Sequence, residues 1–265
     1  MIFLKTEEEI ELMRISNQLV GKTLAEIAKY IEPGVTTSQL DKIAEEFIRD
    51  HGAIPTFKGF PNHVGEPFPG SICASVNDVV VHGIPNDTPL ENGDVISIDC
   101  GTFMNGFCGD SAYTFSVGEV TPEVKQLLEV TKQSLFLAIE QAVNGRRLGD
   151  IGYAVQSYAE SFGFGVVREF VGHGIGKEMH EDPQVPNYGR RGSGKQLKAG
   201  MCIAIEPMIT LGDRHVTMDG DNWTVRTADR KCAAHFEHTL AIGMNSADIL
   251  SSFDFIEQVL KDKIN

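Results

Sequence analysis

Ser97–Phe115 reads SIDCGTFMNGFCGDSAYTF, two apolar arms on either side of Asn105-Gly106. Asn-Gly between alternating apolar segments is a strong hairpin signal, because a two-residue turn needs positive φ at both central positions. Each arm carries one acid, Asp99 and Asp110, and folding the arms about Met104/Asn105 sets the two opposite each other. Like charges directly opposed destabilise a sheet. A hairpin that keeps them calls for positive charge nearby.

Outward from the hairpin, the N-terminal side reads as two helices. Thr6 followed by Glu9 forms a capping-box pattern, and Ile10, Met13, Val20, Leu24, Ile27 and Ile31 recur at helical spacing until Pro33-Gly34. A second helix starts near Thr37/Ser38 and stops at Gly52. Ser71 to Val81 reads as a strand, followed by Asp94 to Asp99 and the hairpin's far arm. The plan then repeats. Thr121-Pro122 places a cap before a first-position proline, opening a helix that continues to Gly145, and Ile151 to Phe162 forms another. Strands follow at 165 to 176, 201 to 209 and 235 to 243.

Leu90–Asp99 (LENGDVISID) and Leu197–Glu206 (LKAGMCIAIE) match in a constant register: Leu, two residues, Gly, two residues, Ile, one residue, Ile, acid. A ten-residue likeness is also compatible with shared strand grammar. With the repeated helix-helix-strand order, it leads us to expect one domain over 1–265, built from pseudo-twofold halves of about 1–118 and 119–265, with the acids meeting between them.

The second half supplies two more acids, Glu206 and Glu237, and the turn region DGDNW at 219–223 could fold them together. Any one acid alone reads as a solvated strand end. Four inside strongly apolar strands do not, since each unpaired buried charge costs several kcal/mol. Two divalent ions would cancel four carboxylates, and a neutral histidine could join them without changing the balance. His173 (GHG) and His82 (VVVHGIP) each interrupt an apolar strand at a glycine-bearing end, where a side chain can be delivered into a cleft. His51, His63, His215 and His235 read as structural or exposed.

Bulk numbers exclude several classes. Lys and Arg total 23 against 37 Asp and Glu, a formal charge of −14, so the average field opposes a nucleic-acid substrate or an anionic membrane. The N-terminus MIFLKTEEEIELM lacks the basic and long apolar regions of a targeting segment. Five cysteines without a C-x-x-C pair suit free thiols in a reducing cytoplasm.

Five motifs, HGIPN around His82, the Asp99/Asp110 hairpin, GHGIGKEMHE around His173 and His180, AIEPM around Glu206 and FEHT around Glu237, resemble the type I methionine aminopeptidases. The resemblance runs in order along almost the whole chain, with the spacing of the bacterial short form. It implies an α+β "pita-bread" fold, with helices outside a curved antiparallel sheet. It also implies two divalent metal ions (Co, Mn, Fe or Zn) held by Asp99, Asp110, His173, Glu206 and Glu237, with Asp110 and Glu237 bridging. Under the same resemblance His82 and His180 contact substrate and Glu206 doubles as a proton carrier. Candidate walls of a methionine slot are Phe57, Phe60, Cys73, Met179 and Trp223. Phenylalanines stand where the family often has tyrosines, Met179 where an aromatic is frequent, and NHVGEPFPGS at 62–71 reads as an insertion beside the entrance. The partners implied are nascent polypeptide N-termini, met by a cytoplasmic monomer.

Two rivals stay open. Xaa-Pro aminopeptidases and prolidases share the fold and metal acids but usually carry an additional N-terminal domain, for which this length leaves no room. The absence of a zinc-finger extension before Met1 argues against type II enzymes. A non-catalytic ribosome-associated binder on this fold would be marked by lost metal ligands, and all five are present. Arg190, Arg191, Lys195 and Lys198, or Arg214, Arg226, Arg230 and Lys231, could touch ribosomal RNA; a solvated loop is the commoner explanation.

Overall fold

A computed structural model describes residues 2–62 and 64–264; His63 lies outside the described residues. The first part of the chain forms α1 (Glu7–Ala28), α2 (Thr37–Asp50), β1 (Ile54–Pro55), β2 (Ile72–Val76), β3 (Val79–Val81), β4 (Val95–Met104) and β5 (Phe107–Ser116). Next come α3 (Pro122–Ile139), α4 (Leu148–Ser161), β6 (Gly165–Val166), β7 (Gly172–Gly174), β8 (Glu181–Val185), β9 (Cys202–Ile205) and β10 (Met208–Thr210). The chain closes with β11 (Val216–Met218), β12 (Val225–Thr227), β13 (Ala233–His235), β14 (His238–Ile242), β15 (Ala247–Ile249) and α5 (Asp254–Ile264).

Helix starts follow their capping chemistry. Thr6 Oγ1 accepts from the Glu9 N–H while the Glu9 carboxylate accepts from the Thr6 N–H, and Thr121 caps α3 ahead of Pro122. Each such cap is worth about 1 kcal/mol. Helix ends fall earlier than periodicity suggests: α1 stops at Ala28 and α3 at Ile139, leaving Ile31 and Ala142 to pack beyond the last turn. The helix α5 carries no strong start signal and goes unanticipated in the sequence.

The central hairpin forms as its turn requires, with Asn105 at φ 55° and Gly106 at φ 83°. Its register differs from the expected one. Because the turn centres between Asn105 and Gly106, Asp99 pairs with Ala112 and Asp110 pairs with Gly101. The two acids are therefore diagonal neighbours on one face, not direct opposites. The directly opposed pair belongs to the second half: β9 pairs His238 with Ile205 and β10 pairs Met208 with His235, so one further step from the first ladder, or two from the second, sets Glu206 against Glu237.

Several single strands expected from the sequence are broken in two. Ser71–Val81 divides at Asn77 (φ 53°) and Asp78 into β2 and β3. The 165–176 stretch gives β6 and β7, which join different sheets. The 201–209 stretch breaks at Glu206-Pro207, where proline offers no N–H to a ladder, and 235–243 breaks at Phe236-Glu237. The DGDNW segment turns between β11 and β12 and does not join Glu206 to Glu237. The antiparallel strands group into sheets of four, three, three and five strands.

Side-chain hydrogen bonds stitch these sheets together at the acids. Ser111 Oγ donates to Glu237 O at 2.7 Å, Thr239 Oγ1 donates to Asp110 O at 2.8 Å, and the Glu237 N–H donates to Ala112 O at 2.9 Å. From the other face α1 packs on the hairpin. Asn17 Oδ1 accepts from the Asp110 N–H at 3.1 Å and Ser16 Oγ lies 2.8 Å from Thr102 Oγ1. Gly109 permits that approach, since a Cβ there would stand 2.7 Å from the Asn17 nitrogen.

Candidate metal centre and substrate cleft

Asp110, His173 and Glu237 are buried and bring their ligating atoms within 4.8 Å of one another. Glu206 joins them: His173 Nε2 lies 3.6 Å from both Asp110 Oδ2 and Glu206 Oε1. Asp99 shares the face of Asp110 and, with Glu206, lines the same cleft of about 680 Å³. All five residues expected as ligands thus converge on one floor, delivered by β4, β5, β7 and the two strand breaks of the second half.

The chemistry of this floor fits divalent cations. Asp99 Oδ1, Asp110 Oδ1 and Glu237 Oε1 are buried without a hydrogen-bond partner among the described residues, a costly state for carboxylates unless a cation meets them. Burial, then Asp110 and Glu206, hold the Asp99 carboxyl well above its usual range; burial likewise raises Asp110, and burial with Asp110 and Glu206 raises Glu237. The His173 ring is oriented for coordination, since its Nδ1 lies 2.9 Å from Gly174 O and must donate to that carbonyl. Nε2 is then the atom turned toward the carboxylates, as in metal-binding histidines whose other ring N–H is held by a backbone carbonyl. Burial pulls His173 down, but Asp110 and Glu206 outweigh it and its pKa ends above the ordinary value.

His82 follows β3 at φ 58°, a left-handed conformation costing roughly 1–2 kcal/mol outside glycine. The neighbouring turn holds it there: the Gly83 N–H donates to Ser75 Oγ at 3.2 Å, and a Cβ on Gly83 would meet Ala74 O at 2.3 Å. Burial pushes its imidazole down to about 4. His180 stands exposed in the cleft, edge-on to His173 at 4.4 Å and to Phe60 at 5.3 Å between ring centroids. Its pKa is also lowered, to about 4, by the loss of water around it within the cleft and then by His173.

Phe57, Phe60, Cys73 and Trp223 line the cleft; Met179 is not among the lining residues and is buried behind them, packed with Cys108, Ile175 and Phe57. Cys73 pairs across the strands with Asp99. Burial and the adjacent Asp99 and Asp110 push its thiol well up, so Cys73 is a packed wall and not a reactive nucleophile. Sequence reading missed Phe68, Phe170 and Val81 on the wall. Phe68 lies at the end of the inserted segment and crosses Trp223 edge-on at 5.1 Å; its place in FPGS beside Phe60 was the available signal. His235, read as structural or exposed, is 2% exposed with Nε2 3.6 Å from Glu206 Oε2. His51 and His215 are exposed as expected.

The insertion folds back over the mouth. Asn62 Oδ1 accepts from the Val64 and Glu66 N–H groups, Asn62 Nδ2 donates to Asn222 O at 3.2 Å, and Asn222 Nδ2 donates to Glu66 Oε2 at 3.1 Å.

Residues 11–243 match the model of metallopeptidase family M24. The methionine aminopeptidase of Clostridium acetobutylicum is 52% identical over 252 residues, covering 95% of this chain and 99% of that protein. The crystal structure of the methionine aminopeptidase from Rickettsia prowazekii superposes with a TM-score of 0.91 at 42% identity, covering 95% of this chain and 100% of that one. The Xaa-Pro dipeptidase from Bacillus anthracis shares the fold alone, at 22% identity and a TM-score of 0.72, with 94% of this chain matching 62% of that one. Identity over nearly the full length, joined to a floor of buried acids and one oriented imidazole, places this chain in metallopeptidase family M24, among the methionine aminopeptidases.

Proposed function

We propose that the chain removes the initiator methionine from new polypeptides, favouring a small second residue, by hydrolysing the first peptide bond. The observation that carries this reading is the convergence of four carboxylates and His173 at the floor of an aromatic-walled cleft, in a chain half identical to a methionine aminopeptidase.

Asp99, Asp110, His173, Glu206 and Glu237 would hold two divalent ions. Such ions supply Lewis acidity that lowers the pKa of a water and polarises a carbonyl. The chain's own groups do the rest. His82, neutral at pH 7, is available to hydrogen-bond near the scissile nitrogen, and His180 to donate toward the developing oxyanion. Glu206 carries a proton between water and the leaving amine. Phe57, Phe60, Phe68, Cys73 and Trp223 offer an apolar slot that excludes water around a methionine side chain.

A cytoplasmic monomer is the setting we infer; the five cysteines are all unpaired, and among the described residues no helix is long and apolar enough to cross a membrane. For ribosome contact, Arg190, Arg191, Lys195 and Lys198 are the better-supported group. All four are exposed and none makes an ion pair among the described residues, whereas Arg214, Arg226 and Arg230 are paired with Glu169, Asp78 and Asp219. A pseudo-twofold origin for the halves is supported by β4 and β9, each beginning two residues after a positive-φ glycine, Gly93 and Gly200.

Release of methionine from Met-Ala-Ser, Met-Lys-Ser and Ala-Pro-Ser, after chelation and re-addition of Co, Mn, Fe or Zn, tests the reading. Metal-restored cleavage of Met-Ala-Ser alone supports it. Cleavage of Ala-Pro-Ser instead would move the chain to the proline-specific relatives, and no cleavage with any metal would leave the binding-protein reading.

A further inference from the structure

The segment from Gly176 to His180 links β7 to β8 and carries His180, yet it belongs to no helix or strand. The His180 ring makes no hydrogen bond among the described residues, so its aim rests on its backbone and on contacts with His173 and Phe60. One carboxylate organises that backbone. Glu181 Oε1 accepts from the Lys177 N–H at 3.0 Å and the Glu178 N–H at 3.5 Å, while Glu181 Oε2 takes the ammonium of Lys5. Lys5 comes from the opposite end of the sequence, just before the cap of α1. Its own N–H donates to Gly200 O at 2.7 Å, and its ammonium also reaches Phe3 O at 3.5 Å.

The two charged side chains are only 6% and 9% exposed. A pair this far from water behaves unlike a surface salt bridge, because losing one partner strands the other charge without solvent. Gly176 makes room for the lysine stem; a Cβ there would stand 2.5 Å from Lys5 Cε and 2.7 Å from Nζ. The turn is tied at its start by the Cys108 N–H on Gly176 O at 2.8 Å and pinned by the buried Met179 side chain, and it closes around an N-terminal lysine.

We propose that Lys5 is a positioning residue for the proposed reaction: by neutralising Glu181 it holds the 176–181 turn, and through that turn it fixes His180 against the substrate carbonyl. This rests on the role given to His180 above. None of the five proposed metal ligands lies on the turn, so Lys5 should govern turnover and not metal retention.

The test uses the full metal-loaded chain in five forms: wild type, Lys5→Met, Lys5→Arg, His180→Ala and the Lys5→Met/His180→Ala double variant. Met-Ala-Ser turnover, bound metal and amide exchange at residues 176–181 are followed in each. Lys5→Met should lower kcat about 10- to 100-fold with bound metal unchanged, and should speed exchange at 176–181. Lys5→Arg should recover most of both losses. In the double variant the lysine change should cost no more than about twofold beyond His180→Ala, as expected when two residues act through one contact. Wild-type exchange at 176–181 in Lys5→Met, or losses that multiply in the double variant, would overturn the proposal. Should Lys5→Met fail to fold, Glu181→Gln, which retains an acceptor for the two N–H groups and removes the charge that binds Lys5, is read by the same exchange criterion. Wild-type turnover by His180→Ala would overturn the role of His180 instead, and exchange in Lys5→Met would then decide the anchor by itself.

Discussion

Asp110 shows how a side chain unfavourable for the fold can be kept for a proposed role as a metal ligand. Its carboxylate is buried with one oxygen unpartnered among the described residues, and its backbone is fixed on both sides by Asn17 and Thr239. Asp110→Asn keeps the shape and removes the charge. Turnover of Met-Ala-Ser should fall below roughly a hundredth of wild type, since even outer-shell partners of a metal cost 10- to 100-fold, and retention of metal through dialysis should weaken. The chelated variant should melt at or above the chelated wild type, because a like charge has gone. Near-normal turnover would sink the bridging assignment. His82 makes a second residue-scale prediction: with its pKa near 4, its imidazole resonances should stay those of the neutral ring down to about pH 5. Such residues were legible in the sequence because acids and histidines inside apolar strands are chemically out of place. Phe68, Phe170 and Val81 were not, since an apolar wall residue looks like any core residue, and His235 gave no sign that its strand would break beside Glu206.

At the scale of the element, glycines set how closely α1 and the central hairpin meet. Gly109 faces the backbone of Ser16 and Asn17, where an added methyl would stand 2.7 Å from two main-chain atoms. Gly109→Ala should cost about 1–3 kcal/mol by overpacking and should lower turnover, because the displaced Asn17 also holds the Asp110 N–H. Gly106→Ala, strained only by its φ of 83° at an exposed turn, should cost about 1–2 kcal/mol and leave turnover unchanged at temperatures where the protein is folded. Urea midpoints beside kcat separate the two; equal activity losses would contradict the division. The hairpin and the first helix caps were readable because turn and cap chemistry is local. The breaks at Asn77, Glu206-Pro207 and Phe236-Glu237 were not, because an apolar run does not disclose which neighbour each half will pair with. The diagonal offset of Asp99 and Asp110 hung on one residue of turn placement, which β registers do not forgive.

For the molecule as a whole, the gathered acids tie stability to pH and to metal. Asp99, Asp110 and Glu237 hold their protons more tightly folded than unfolded. From the ordinary carboxylate range of about 4 up to those raised values the native state holds these protons and the unfolded chain does not, so the acids' contribution to stability falls as pH rises through that window. His82, His180 and His238, whose folded pKa values are lowered, act in the opposite sense through the ordinary histidine range, so the acids are read from the effect of metal at each pH. Co or Mn should raise the melting temperature of chelated protein more at pH 7.5 than at pH 5.5. A metal-induced rise equal at both pH values would show that the acids are not facing one another in solution.

The hairpin has one more use. Its tip at Asn105-Gly106 is exposed, while Asp99 and Asp110 lie four to six residues back along arms that rise ~3.3 Å per residue. A spectroscopic label at the tip would sit roughly 13–20 Å from the acids, within the range over which a paramagnetic ion broadens resonances and a diamagnetic one does not. The same ten-residue arms that bury the acids thus form a built-in ruler, able to report which ion has been loaded without touching the cleft.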